Sequence, residues 1–336
     1  MNKHIIQKVI LGFGISIVSL FQAKAQQNIQ FTQYIFNSLS VNPAYAGYKE
    51  EWFAQLALRS QWTGIDGAPR TGQISIDGIT SDSKNVGLGL QMTDDRLGPQ
   101  TATSIYANYA YRLRLDADDT QRLSFGLAAG ITQYGLDGDK LRPVDGEDIS
   151  LPLGKISNTI PDVRFGVYYY NPKFYIGLSA MDLFSANQGS GLFNRNDGIE
   201  QNIKRQRHYY MIAGTLINLS EDTKLRPSIL FKEDFKGPSS LDLGGMVIFN
   251  ERFWLGGSYR TGVDLWKKQY QKGQSLSNLN SISAITQFYF NERFRMGYSY
   301  DFIISELSSM QNGTHEITIG MTFPRKSKRL LSPRFF

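Results

Sequence analysis

The 336-residue chain contains no cysteine and only three histidines. The first absence excludes a disulfide scaffold and a lipid-anchored cysteine after the leader. It fits an exported protein that relies on no disulfides. The second leaves little for chemistry. His208 opens a strand-like run, and His315 follows the turn signal Asn312-Gly313. Neither has a serine at nucleophile spacing or belongs to a metal-ligand cluster, so no catalytic residue, metal or cofactor is expected. Asp116-Ala117-Asp118-Asp119 and Asp145-Gly146-Glu147-Asp148 lack the spacing of a calcium loop and read as solvated turns. Gly64 and Gly67 lie between two strand-like runs rather than before a helix, which argues against a phosphate cradle.

Long apolar runs are also scarce, and mean hydropathy is −0.30. The one such run, Val9 to Phe21, follows Lys3 and Lys8 and precedes Ala23-Lys24-Ala25. That pattern is a secretory signal peptide over residues 1–25, too short to span a membrane. Cleavage would leave Gln26 first. Charge of one sign is scarce too, despite a formal net charge of +6. Lys3, Lys8 and Lys24 have no acid beside them in residues 1–25. Arg325, Lys326, Lys328, Arg329 and Arg334 crowd the last residues. Without both groups the body is slightly acidic, so no nucleic-acid footprint is expected.

Aromatics and glycine are plentiful, with 18 Tyr, 21 Phe and 32 Gly. Apolar residues recur with period two from Trp52 onward. Val86, Leu88, Leu90 and Met92 alternate with Gly87, Gly89, Gln91 and Thr93. Phe294, Met296, Tyr298, Tyr300 and Phe302 alternate with Arg295, Gly297, Ser299 and Asp301. One face is greasy, and the other is small, polar or charged. Both a soluble sandwich and a transmembrane barrel give this pattern. The connections favour the barrel. About fourteen strands are expected over residues 51–323, the third spanning 85–93 and the sixth 161–170. Long connections follow odd strands, at 136–160, 182–205 and 263–279. No even-strand connection is long. Long loops sharing one side, with tight turns and both chain ends on the other, is the outer-membrane arrangement.

An internal repeat marks the tight turns. Phe249-Asn250-Glu251-Arg252-Phe253 recurs as Phe290-Asn291-Glu292-Arg293-Phe294, with a weaker copy at Tyr170-Asn171-Pro172-Lys173-Phe174. These aromatics are expected at the lipid interface and the bases at headgroup phosphates. Arg59, Arg112, Arg226, Asp242, Arg295, Asp301 and Glu316 fall on the polar faces, hence in the lumen, where a charge must be paired or wet. Before the first strand, Phe31, Tyr34, Ile35 and Leu39 share the i, i+3, i+4, i+8 face of a short helix. That helix is too short to stand alone and needs something to pack on, which favours a filled lumen. The expected fold is therefore all-β, a transmembrane antiparallel barrel with a short N-terminal helix or plug. Residues 26–50 form the periplasmic or plug segment, and 324–336 a basic periplasmic tail.

Tyr34-Ile35-Phe36-Asn37-Ser38-Leu39-Ser40-Val41-Asn42-Pro43-Ala44-Tyr45-Ala46-Gly47 resembles the N-terminal signature of the PorP/SprF family. Gln61-Trp62-Thr63-Gly64-Ile65-Asp66-Gly67-Ala68-Pro69-Arg70-Thr71 resembles its second signature, and Ser332-Pro333-Arg334-Phe335-Phe336 the end of the SprF-like branch. Ser38 stands where the family commonly has proline. The resemblance implies a non-enzymatic outer-membrane barrel accessory to type IX secretion. Its partners would be a large secreted surface adhesin, some of them used in gliding, periplasmic components of the machine and outer-membrane lipid. Candidate partner-binding residues are then Trp62, Gly64, Asp66, Gly67 and Pro69 on the outer loop. Arg325, Lys326, Lys328, Arg329, Arg334, Phe335 and Phe336 are the candidates in the tail. The alternative is a diffusion channel of the fatty-acid-transporter type with the N-terminal segment as a hatch. An outer-membrane hydrolase has little support.

Overall fold

A computed structural model describes residues 29–80, 84–141, 154–185, 206–237, 239–263, 265, 280–304 and 306–324. The signal peptide, the acidic stretch at 145–148 and the tail residues Arg325, Lys326, Lys328, Arg329, Arg334, Phe335 and Phe336 lie outside them.

The strands are β1 (Trp52–Ser60), β2 (Arg70–Ile79), β3 (Val86–Leu97), β4 (Gln100–Arg114), β5 (Arg122–Asp137), β6 (Lys155–Tyr170), β7 (Phe174–Met181), β8 (His208–Thr215), β9 (Ile217–Asn218), β10 (Thr223–Glu233), β11 (Ser239–Phe249), β12 (Phe253–Val263), β13 (Ser281–Tyr289), β14 (Phe294–Ile303) and β15 (Thr314–Phe323). Each pairs antiparallel with its chain neighbour, except that β8 and β9 both pair with β10. These two are halves of one strand. Ser228 faces Gly214 and Leu225 faces Ile217, so the register runs on without a slip. The ladder breaks where Pro227 faces Thr215, because proline has no N–H to give. The last strand returns to the first, from Trp52 opposite Phe323 to Ser60 opposite His315. Fourteen antiparallel strands thus close a barrel.

All fourteen occur where the alternation places them. Two ends run further than expected. β3 continues to Leu97, and β6 begins at Lys155, before Pro161. Pairing of β6 with β7 stops at Phe165 opposite Ala180. Pro161 therefore sits on a stretch with no β7 neighbour, where a missing N–H is tolerated.

Alternation sorts the two faces. Ile74, Leu90, Leu127, Leu178, Leu255 and Ile282 are exposed on the outside, while Gln55, Gln73, Arg112, Arg226, Arg295 and Glu316 are buried inside. Exposed Phe174, Phe249, Phe253, Phe290, Phe294 and Phe323 ring the end that carries the short turns. That is an aromatic girdle at a membrane interface. The repeated turns share a cause in two cases. The Asn171 side chain accepts from the N–H groups of Lys173 and Phe174 at 2.8 and 2.9 Å, and Asn291 does the same for Arg293 and Phe294 at 2.8 and 2.9 Å. The third copy differs, with Asn250 and Glu251 at φ 48° and 57°, a turn of the I′ kind. The acidic stretch at Asp116 is also a turn. Its carboxylate accepts from the N–H groups of Thr120 and Gln121 at 2.9 and 3.0 Å. The Thr120 hydroxyl bond, with that from the Gln121 N–H next, holds the Asp116 carboxyl below the usual range.

Candidate functional site: a threaded lumen and its outer mouth

Residues 31–39 are buried, every one of them. They do not form the expected short helix with one apolar face. The segment folds as three 3-10 turns, Tyr34–Phe36, Ser38–Ser40 and Pro43–Tyr45. Asn37 and Asn42-Pro43 interrupt any longer helix. A segment surrounded by strands has no solvent face, so its polar side chains are buried as well. Gln73 donates to Asn37 at 2.9 Å, and Asn42 donates to the carbonyls of Val167 and Leu178 at 3.0 and 3.2 Å.

Of the two placements expected for the 26–50 segment, periplasmic or plug, its described residues take the lumen, and they run through it in one direction. At the loop end of the barrel, Glu316 accepts from the N–H groups of Thr32 and Gln33 at 2.8 and 2.9 Å. Arg59 donates to Glu316 and to Asp301, both at 2.8 Å, and to the Thr32 hydroxyl at 2.8 Å. Gln30 donates to Asp242 at 2.7 Å, which also takes Arg260 at 2.7 Å. Halfway down, Gln73 holds Asn37 and the Tyr34 hydroxyl lies 3.2 Å from that of Ser228. Nearer the turn end, Arg295 donates to the Phe36 carbonyl at 2.8 Å and to Gln287 at 2.6 Å. Tyr45, Tyr48, Tyr168, Tyr170 and Tyr175 pack there as one aromatic stack. At the turn end, the Gly47 N–H donates to Asp77 at 2.9 Å, and Arg112 binds Glu50 at 3.0 Å and the Tyr170 hydroxyl at 2.7 Å. The chain thus descends the full height of the lumen before β1 begins.

The wall is shaped for this passage. A Cβ on Gly87 would stand 2.0 Å from the Ala46 carbonyl oxygen, and one on Gly126 would stand 2.1 Å from the Ala44 nitrogen. Only glycine lets backbone approach backbone so closely.

The loop at residues 61–69 closes over one side of the outer mouth. Trp62 sits at φ 47°, its N–H on the Thr314 hydroxyl at 3.2 Å. The Thr63 N–H donates to the Gly313 carbonyl at 2.9 Å, and the Gly98 N–H to the Gly67 carbonyl at 2.8 Å. Gly64 and Gly67, at φ 97° and 72°, make the turn, and Asp66 is exposed on it. Trp62 and Pro69 face a cavity of about 350 Å³ whose floor includes Ile29, Gln30 and Arg59. The first loop and the lumen segment therefore meet in one space. Phe31, Tyr34, Ile35 and Leu39 are buried below it.

Sequence reasoning placed Arg59, Asp301 and Glu316 in the lumen but did not pair them. Their bonds join residues 242 and 257 positions apart, and nothing local announces such a pair. His208 lies 3.3 Å from Asp182, and His315 lies 2.8 Å from the Tyr298 hydroxyl on the outer face.

The cysteine-free sequence makes the threading directly checkable, because an introduced thiol is the only one present. Gln30→Cys is expected to react with a membrane-impermeant maleimide on intact cells, and Lys49→Cys only after the outer membrane is permeabilised. The reverse order of labelling would refute the direction of the segment.

The sequence matches the family described as "Type IX secretion system membrane protein PorP/SprF" over residues 23–321. No curated protein matches. Solved structures share the fold. The CymD monoaromatic hydrocarbon channel is 12% identical at TM-score 0.51, with 90% of this chain and 95% of that one covered. The Ralstonia pickettii toluene transporter TbuX is 8% identical at TM-score 0.51, covering 85% and 92%. A deletion mutant of the TodX monoaromatic hydrocarbon channel is 10% identical at TM-score 0.50, covering 85% and 93%. At such identity the likeness concerns the barrel alone.

Proposed function

Because this chain belongs to the PorP/SprF family of type IX secretion system membrane proteins, we infer that it is a non-enzymatic outer-membrane accessory protein supporting secretion or surface attachment of a large adhesin. One observation carries the choice of scaffold over conduit. The N-terminal segment is bonded to the wall at the top, middle and bottom of the lumen. A lumen so occupied acts as a plug, with Phe31, Tyr34, Ile35 and Leu39 as its apolar body. The outer loops, Trp62 to Pro69 among them, face the adhesin. The short turns and the basic tail face periplasmic components, and the aromatic girdle holds lipid.

Deletion of residues 324–336 tests the inner half of this reading. Adhesin display on intact cells is expected to fall several-fold, scored by immunofluorescence. Heat-modifiable electrophoretic mobility checks that the barrel has inserted. Normal display from the inserted truncation would remove the tail from the mechanism. Hydrophobic solute uptake in liposomes, with display indifferent to loss of the whole protein, would make it a fatty-acid-transporter-type channel instead.

A further inference from the structure

We propose that the cavity at the outer mouth is a binding site for a neutral carbohydrate, independent of which protein is secreted. Its volume of about 350 Å³ lies in the range of small-ligand pockets and suits about one or two pyranose rings.

The walls select against charge. Arg59 is bonded to Asp301 and Glu316, Arg260 to Asp242, and Asp95 accepts from the Thr71 hydroxyl at 2.6 Å. Each arginine of the lining is thus already matched by a carboxylate, and an anionic ligand would have to break one of these pairs. The remaining polar lining is uncharged, with hydroxyls from Thr261, Ser281 and Thr314 and amides from Gln61 and Asn280. These groups can donate and accept in many directions, as a polyol requires.

Trp62 supplies what hydroxyls cannot. Trp62 lines the cavity, and its backbone is left-handed at φ 47°, a strained conformation for a bulky residue. Bonds from Trp62 and Thr63 to Thr314 and Gly313 hold it there. A flat aromatic beside hydroxyl and amide groups suits a sugar, which is apolar on its C–H faces and polar at its rim. An extended polypeptide fits less well. Strand addition needs an open sheet edge, and the strand ends here are paired, Ser239 with Val263, Arg260 with Ser281 and Ser281 with Ile303.

The test is isothermal titration of the full-length protein in amine-oxide micelles, which carry no sugar headgroup. The probes are maltose, lactose, cellobiose and diacetylchitobiose, with glucose 6-phosphate and the peptide Ala-Ser-Gly-Ala-Ser-Gly for comparison. At least one disaccharide is expected to bind at millimolar or lower concentration. Trp62→Gly, which suits the left-handed backbone, should weaken it about tenfold or more, while Leu127→Ala on the lipid face leaves it unchanged. Silence from all four sugars at about 20 mM would overturn the proposal, as would equal binding by the Trp62→Gly protein. A preference for the phosphorylated sugar or the peptide would also overturn it, the latter assigning the cavity to a polypeptide.

Discussion

Arg59→Ala is expected to turn a barrel that passes little current into one that conducts. The guanidinium and its two carboxylate partners are buried, with side-chain exposures of 4%, 3% and 1% for Arg59, Asp301 and Glu316. Removing the cation leaves two acids side by side without the guanidinium that bonds them both. Breaking a buried pair from one side costs about 3–5 kcal/mol, a factor of about a hundred or more in an equilibrium. The cheapest relief is water, and water that hydrates Glu316 competes with the N–H bonds it accepts from Thr32 and Gln33. The upper half of the segment then lifts. The lower half stays, held by Glu50 on Arg112 and Gly47 on Asp77. Single-channel recording in planar bilayers would register the change, and heat-modifiable mobility would report the intact barrel. The triple variant Arg59→Ala, Asp301→Asn, Glu316→Gln removes the charge imbalance and should close the barrel again. An inserted Arg59→Ala protein as silent as wild type would refute the latch.

Gly87→Val is expected to unseat the segment sterically rather than electrostatically. The new Cβ would meet the Ala46 carbonyl at 2.0 Å, and backbone on either side cannot yield as a flexible side chain can. Overpacking of this kind costs about 1–3 kcal/mol and often more. The expected result is a lower temperature for the heat-modifiable shift, together with raised current. Gly245→Val is the control, because a Cβ there meets nothing within 4 Å. Deleting residues 29–46 supplies the decisive comparison. In that background Gly87→Val should have almost no further effect. If its cost persists without the segment, the clash lies elsewhere in the wall.

The barrel was legible in the sequence because each strand reports its own two faces. Val86, Leu88, Leu90 and Met92 need no distant partner to declare an outside. The turns were legible for a similar reason, since Asn171 and Asn291 bond their own next neighbours. The lumen was legible only as composition. Arg59 announces a polar face but not its acids, and Gly87 announces a missing side chain but not the carbonyl that requires it. The segment misled for a related reason. Phe31, Tyr34, Ile35 and Leu39 have helical spacing, yet Gln33 and Asn37 between them are buried too. Periodicity assumes that one side meets water, and here none does. Its direction was lost because loop parity fixes where β1 starts, not where the chain came from.

Closing the ring and threading it are a single late event. Thr32 reaches Glu316 across 284 positions, and Gln33 reaches Thr318 across 285. The strand that carries both partners also seals the barrel against β1. During synthesis the first ordered residues have no seat until the last strand arrives. Contacts of such separation form slowly. A chain of this topology therefore spends its assembly with an exposed aromatic head and an unsealed edge. It would need a holding factor in the periplasm for longer than a barrel whose lumen is lined by neighbouring strands alone.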